Sequence, residues 1–407
     1  MNLALELYRS VTRYAAGRLV GGRIPGALAG PIAPLRLVNR EQPRLHGPGW
    51  VRVRPLLSGI CGSDLATLSG QSSLYFSPLV SMPFTPGHEI VGELADDVAA
   101  DGDGGTLAAG TRVVVDPVLS CGPRGLPLCQ WCASGQTSRC DHVTVGHLAP
   151  GLQTGYCADT GGGWSRMLAV HASQLHAVPD ELSDERAVLV EPLACAVHAV
   201  RRARVQPGDA VLIVGAGTVG LFTLLALRAL TQAGRITVVA KHGRQQALAS
   251  DLEASDVVAP DRALKALRRA TRAFLVKPER GGDYLLGGAD VAFECTGGRS
   301  GLDMALRTVR AGGRVVLSGM PTSGADLTPL WYRELELIGA YASGDGRAVD
   351  GDPRHDFDVA LDLVRAAPLD GMVGAVYPLT RWREALDHAF AAGKLGTLKV
   401  AFNPAME

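Results

Sequence analysis

Four cysteines crowd one short stretch of the chain, in the order Cys121-x7-Cys129-x2-Cys132-x7-Cys140. Half of the 8 cysteines in 407 residues therefore lie within twenty positions of one another. Four thiolates complete the tetrahedral shell of Zn²⁺ and leave no position for a substrate, so a metal there would be structural. Two disulfides in a secreted loop are the other reading, and a CxxC flanked by two more cysteines favours metal. Upstream, Ser58-Gly-Ile-Cys61-Gly-Ser63-Asp64 and Pro86-Gly87-His88-Glu89 supply a thiol, an imidazole and carboxylates, and Val190-Glu191-Pro192-Leu193 supplies a further acid. A cysteine, a histidine and a carboxylate can hold zinc through three ligands and leave the fourth position open for a reacting oxygen. Each residue also has an ordinary use. Cys61 could be a small buried apolar group, His88 a hydrogen-bonded turn residue, and Glu191 an acid near a helix start.

A third constellation is Gly215-Ala216-Gly217-Thr218-Val219-Gly220. It directly follows the β-rich run Val211 to Val214, and a good helix former, Leu221 to Leu230, continues from it. Strand, GxGxxG and helix in that order are the context a dinucleotide-binding turn requires. Gly215 permits the sharp turn, Gly217 lets backbone approach a pyrophosphate, and Gly220 lets helix pack close on strand. The helix start then offers free N–H groups and partial positive charge to the phosphates. The next strand, Arg235 to Ala240, ends in Lys241-His242-Gly243-Arg244. An NAD site places an acid there for the ribose 2′-hydroxyl. Lys241 and Arg244 would instead welcome a 2′-phosphate, so NADP is expected over NAD, unless both are simply solvated surface charge.

These residues need elements to hold them. Ala289 to Cys295 and Gly313 to Ser318 read as further strands, and strand–helix alternation over roughly residues 195–340 predicts a doubly wound parallel sheet. A chain of this length makes two domains, or three. Its 47% hydrophobic and 20% charged content suits a well-packed enzyme. Forty basic against 40 acidic residues leave no net charge, which argues against a polyanion-binding surface such as one for nucleic acid. Ala210 to Leu227 carries no charge and is long enough to raise a membrane span, but the glycine turn inside it favours strand, turn and helix. Met1 to Val20 lacks the start and the unbroken apolar core of a signal peptide, and its apolar spacing predicts a short surface helix.

Taken together, GICGSD, PGHEIVGE, the four-cysteine stretch, EPLACAVHA, VGAGTVG, ADVAFECTGG, AGGRVVLSG and the closing GTLKVAF resemble the zinc-dependent medium-chain alcohol dehydrogenase superfamily. EPLACAVHA points to its polyol and threonine dehydrogenase-like branch. The resemblance implies an α/β fold: a Rossmann domain with a doubly wound parallel sheet, plus a mainly β GroES-like catalytic domain. The expected division is a catalytic domain over 1–192 with a leader at 1–34, a dinucleotide-binding domain over 193–343, and a return over 344–407 that completes the first. Cys61 and His88 would bind a catalytic zinc, with Glu89 or Glu191 as third ligand. Ser63 would pass the substrate proton toward solvent, and Asp64 would brace the imidazole. Cys121, Cys129, Cys132 and Cys140 would hold a structural zinc, making two per chain. Gly215, Gly217, Thr218, Val219, Gly220, Thr296 and Gly319, with Lys241 and Arg244, would bind NADP.

The implied activity is hydride transfer between a secondary or polyol-like alcohol and NAD(P), in a cleft between the two domains. The implied setting is a cytoplasmic homodimer or homotetramer with no nucleic-acid or membrane partner. The chain departs from the family pattern in three places, one being the leader from Met1 to Pro34, which has no clear match. Seven residues rather than two separate Cys121 from Cys129, and the insert Pro123 to Leu128 is expected to loop out. Ala66 stands near the place of a threonine-dehydrogenase-like histidine, which argues against threonine as substrate. Tyr75, Phe76, Tyr156 and Trp164 could line a pocket or pack a core. A zinc-free reductase of the same superfamily and a non-enzymatic zinc-ribbon interaction protein are the alternatives, and the GxGxxG turn weighs against the second.

Overall fold

The computed structural model describes every residue except 21–25, 27, 29, 31, 100–104, 322, 323, 348 and 349. The chain divides into two units. One comprises Met1–Glu191, Ser343–Ala348 and Phe357–Glu407, and the other Pro192–Ala342 and Val349–Asp356.

In the second unit six parallel strands run in the order Asp256–Val258, Ile236–Val239, Val211–Val214, Ala289–Glu294, Val309–Leu317, Glu336–Gly339. Counted along the chain this is the 3-2-1-4-5-6 order of a doubly wound dinucleotide-binding sheet. Val211–Val214 is buried throughout, as a central parallel strand covered on both faces must be. Helix Thr218–Leu230 follows, with Gly217 as its N-cap. The charge-free stretch is therefore strand, turn and helix, and no helix among the described residues is long and apolar enough to cross a membrane. Val309–Leu317 starts earlier than Gly313, because Ala289 pairs with Val309 across a register shift. An antiparallel pair, Phe274–Val276 with Tyr284–Leu286, stands outside the main sheet. Periodicity does not reveal such three-residue strands.

The first unit is built on a mainly antiparallel sheet. Its order is Val373–Tyr377, Lys399–Phe402, Trp50–Gly59, Ile90–Leu94, Arg112–Val115, Leu175–Ala177, and Leu168–His171 also pairs with Trp50–Gly59. Valines and leucines at alternate positions, among them Val51, Val53, Ile90, Leu94, Val113, Val115, Leu168 and Val170, form one buried cluster. The leader corrects the expectation of a single surface helix. Asn2–Leu7 is a strand paired antiparallel with Leu35–Arg40, and only Val11–Val20 is helical. Leu5 and Leu7 join a core with Phe84, Trp164 and Phe402. The buried Glu6 carboxylate meets Arg36 and Arg40 on the partner strand. A partner some thirty residues away decides the matter, and spacing within twenty residues cannot register it.

Candidate active site and metal centres

Strand order brings the reactive residues of the first unit to one end of its sheet. Trp50–Gly59 ends just before Cys61, and Ile90–Leu94 begins just after Glu89. The two strands are antiparallel with Ser58 opposite Ile90, so the end of one lies beside the start of the other. Lys399–Phe402 flanks Trp50–Gly59 on its other side, with Ala401 opposite Gly59. Cys61, His88, Glu89 and Lys399 therefore meet. Two glycines make room for them. Gly87 has φ +95° and a Cβ there would come within 2.4 Å of Trp164. A Cβ on Gly59 would stand 1.8 Å from a Glu89 carboxylate oxygen.

His88 is buried, with Nδ1 3.5 Å from Asp64 Oδ1 and Nε2 3.3 Å from the Ser63 hydroxyl. The Cys61 backbone N–H donates to Asp64 Oδ2 at 3.0 Å. Asp64 thus turns one oxygen to the Cys61 backbone and the other to the imidazole. His88 Nδ1 and Asp64 Oδ1 have no hydrogen-bond partner among the described residues. Burial opposes a charged imidazole, but the Asp64 carboxylate and the Cys61 thiol outweigh it and hold His88 well above its usual value. Such a ring carries a cation readily on its Nε2 side, and the thiol beside it is a second donor of the right kind for zinc.

The two candidate carboxylates differ. Both Glu89 oxygens accept from Lys399 Nζ, each at 2.6 Å, and both side chains are almost fully buried. Burial would lower Lys399, but Glu89, then Cys61, and more weakly Glu191 outweigh it and raise the ammonium. Glu191 lies buried in the first turn of helix Val190–Ala203, near enough for its charge to act on Lys399. Cys61, His88, Glu89 and Glu191 do not gather as tightly as the cysteines below. Lys399 is a site residue that sequence reading passes over. Its signal is a lone lysine in the apolar run Thr397-Leu-Lys-Val-Ala-Phe402.

Tyr156 completes this neighbourhood. Its ring lies 5.9 Å from that of His88 and 5.2 Å from that of Phe84. Its hydroxyl is 3.2 Å from Thr67 Oγ1, and burial pushes the phenol up. Of the other aromatic candidates, Trp164 is fully buried against Phe402, a core residue, and Tyr75 is exposed.

The four cysteines converge. All their sulfurs lie within 4.8 Å of one another, the one group of three or more potential ligands gathered this way among the described residues. Cys121 and Cys140 sulfurs are 3.6 Å apart, against about 3.8 Å for a tetrahedral shell with metal–sulfur bonds of about 2.3 Å. No cysteine of the chain is disulfide-bonded. Backbone N–H groups of Cys129 and His142 donate to the sulfurs of Cys121 and Cys140. Hydrogen bonding from Cys132 pulls Cys140 down to about 5, so one thiolate is favoured at neutral pH. The donors fit zinc by type, number and spacing.

The insert between Cys121 and Cys129 does not simply loop out. Arg124 within it is fully buried, and its guanidinium donates to the carbonyls of Leu119, Val145, Leu148, Ala149 and Gly151. Five carbonyls aimed at one point need a multivalent planar donor, which Arg supplies. Gly125, Pro127 and Leu128 of the insert are exposed, while its Arg124 is the buried anchor.

In the second unit the glycine turn has the geometry its spacing predicts. Gly215 has φ +99°, a region that strains other residues. A Cβ on Gly217 would meet nothing within 4 Å, whereas one on Gly220 would stand 1.9 Å from the Gly215 carbonyl oxygen. The first leaves backbone open to a ligand, and the second seats the helix on the turn. Thr296 lies against Gly215, and Gly319 against Gly297, where a Cβ would be 2.3 Å from nitrogen. The Thr296 hydroxyl is held by the buried Glu294. Lys241 and Arg244 are exposed just past the strand that neighbours Val211–Val214, where the Gly215 N–H donates to the Val239 carbonyl. Neither cation has an ion-pair partner among the described residues.

The alcohol dehydrogenase GroES-like domain model matches residues 47–180, and the zinc-binding dehydrogenase model matches residues 218–366. L-idonate 5-dehydrogenase of Vitis vinifera is 30% identical over 362 residues, 88% of each chain. The crystal structure of 2R,3R-butanediol dehydrogenase from Bacillus subtilis aligns with a TM-score of 0.70 at 25% identity, covering 99% of this chain and 100% of that one. A structure from Sinorhizobium meliloti 1021, described as a zinc-binding dehydrogenase bound to NADP, also has a TM-score of 0.70 at 25% identity, covering 99% of each chain.

Proposed function

The chain belongs to the zinc-dependent medium-chain alcohol dehydrogenases, enzymes that move a hydride between an alcohol and NAD(P), and we propose that it oxidises a secondary hydroxyl of a polyol-like substrate with NADP. The observation that carries the site assignment is the setting of His88, with Asp64 on its Nδ1 side, Ser63 beside Nε2 and the Cys61 thiol close enough to act on the ring.

In this reading Cys61, His88 and Glu191 hold the catalytic metal. Glu191 is preferred to Glu89 because both Glu89 oxygens are engaged by Lys399. When bound, zinc supplies Lewis-acid polarisation of the substrate oxygen and the nicotinamide supplies the hydride acceptor. Asp64 orients the imidazole and fixes which nitrogen is free for a metal. Ser63, beside His88 Nε2, would accept the proton of the substrate hydroxyl while releasing its own hydroxyl proton toward solvent. Lys399 neutralises the buried charge of Glu89. Cys121, Cys129, Cys132 and Cys140 hold a second, structural zinc. Idonate and butanediol in the names of the relatives support an alcohol with more than one hydroxyl.

Lys241 and Arg244 favour NADP, and the NADP in the Sinorhizobium meliloti structure supports the same choice. A charge-assisted contact to phosphate contributes roughly 1.5–3 kcal/mol, about tenfold or more in affinity. Lys241→Asp is expected to weaken NADP binding by at least that factor, through repulsion, and to strengthen NAD binding through the ribose hydroxyls. Titration of both cofactors into wild type and variant checks this. Equal, salt-independent dissociation constants in the wild type would show that these cations do not read the phosphate.

A homodimer is the expected assembly. Glu336–Gly339 is an edge strand, and Leu327, Trp331, Tyr332, Leu337 and Tyr341 lie exposed on and around it. An unpaired edge flanked by aromatic residues favours pairing with a second copy. Light scattering should give twice the 42.6 kDa of one chain, and a monomer mass at micromolar concentration would refute it. The absence of a disulfide among the eight cysteines is in keeping with a reducing compartment such as the cytoplasm.

A further inference from the structure

A row of hydroxyls beside the candidate catalytic metal site has hydrogen-bond directions that follow from counting protons. Thr67 Oγ1 donates to the Ser63 carbonyl at 2.8 Å. A hydroxyl has one hydrogen, so toward its other neighbours Thr67 can only accept. Those neighbours are the Ser72 hydroxyl at 2.9 Å and the Tyr156 hydroxyl at 3.2 Å. Tyr156 therefore spends its own hydrogen on Thr67. Its phenol oxygen retains lone pairs, and its ring stands 5.9 Å from that of His88 in a half-buried residue. An oxygen with only acceptor capacity left is satisfied by a donor such as an alcohol hydroxyl, and neither a methylene nor a carbonyl can take that place. The same count makes the row a poor proton wire, because the Thr67 hydrogen ends on a backbone carbonyl.

We propose that Tyr156 accepts a hydrogen bond from a substrate hydroxyl other than the one being oxidised, and so selects diols and polyols over monohydric alcohols. The proposal rests on the metal site assigned above to Cys61 and His88. Phe84, whose ring lies 5.2 Å from that of Tyr156, restricts its orientation, so the acceptor is presented in a limited range of directions.

A matched pair of substrates isolates the effect. 2,3-Butanediol and 2-butanol differ by one hydroxyl. Tyr156→Phe keeps the ring and removes the acceptor. The ratio of kcat/KM for the diol over the monohydric alcohol should fall about tenfold, mostly through KM of the diol, as expected for one lost buried hydrogen bond. Binding is read separately. The rise in unfolding temperature that excess 2,3-butanediol gives the zinc-loaded wild type should shrink in the variant, at equal zinc content. An unchanged ratio together with an unchanged thermal shift would overturn the role of Tyr156. An equal loss for both alcohols would also overturn it, since that marks a positioning role toward His88. Wild-type protein without zinc would instead overturn the metal site itself and this proposal with it.

Discussion

Cys61→Ala is expected to remove one of two zinc ions per chain and to lower kcat/KM for a secondary alcohol by about 10³-fold or more, with the fold retained. Zinc acting on the substrate oxygen contributes several kcal/mol to the transition state, and each 1.36 kcal/mol is tenfold in rate. The fold should survive because Cys61 sits at the N-cap of the short helix Gly62–Leu68, partly accessible and outside the core clusters. What its backbone contributes, the N–H donated to Asp64, is kept by alanine. Metal analysis, turnover and thermal unfolding on one preparation check the three parts. Activity within about tenfold of wild type would remove Cys61 from the set of ligands.

Cys132→Ala should have its effect on stability. The four sulfurs share a space in which thiols alone compete for one another's protons, so a cation is what lets all of them ionise together. Structural zinc contributes folding free energy directly, about 10–16 kcal/mol in peptides that fold only with metal. Here Arg124 and the surrounding carbonyls also hold the stretch in place, so a smaller loss is expected, several kcal/mol and a fall in melting temperature of about 10 °C or more. Arg124→Met should destabilise the same region without removing a ligand, since buried carbonyls left without donors cost about 1–3 kcal/mol each. Its zinc should also leave faster to a chelator. A Cys132→Ala protein with wild-type zinc content and melting temperature would contradict the assignment.

The sequence discloses those features whose partners lie close along the chain. Strand, glycine turn and helix over Val211–Leu230 form one continuous segment, and each glycine has a steric reason that spacing alone can state. The four cysteines are similar, since only short loops of chain have to close to bring them together. Long-range pairings are different. Lys399 and Glu89 are 310 residues apart, and nothing near either marks the other. Arg124 reads as a charge in a proline- and glycine-flanked insert, the usual sign of a surface loop, until the carbonyls of Leu119 to Gly151 surround it. Asn2–Leu7 has apolar residues that suit either a helix or a strand, and only pairing with Leu35–Arg40 decides. Tyr156 could be core or pocket by sequence, and in the structure it packs against the core beside Phe84 while its hydroxyl reaches Thr67.

Counting zinc in the purified, unchelated protein tests the central claim most directly. Two zinc ions per chain are expected in the wild type, falling to one in Cys61→Ala with activity lost, and to one in Cys132→Ala with stability lost. A wild-type content of one or none, or a Cys61→Ala protein that still holds two, would contradict the assignment of Cys61 and His88 to a catalytic zinc.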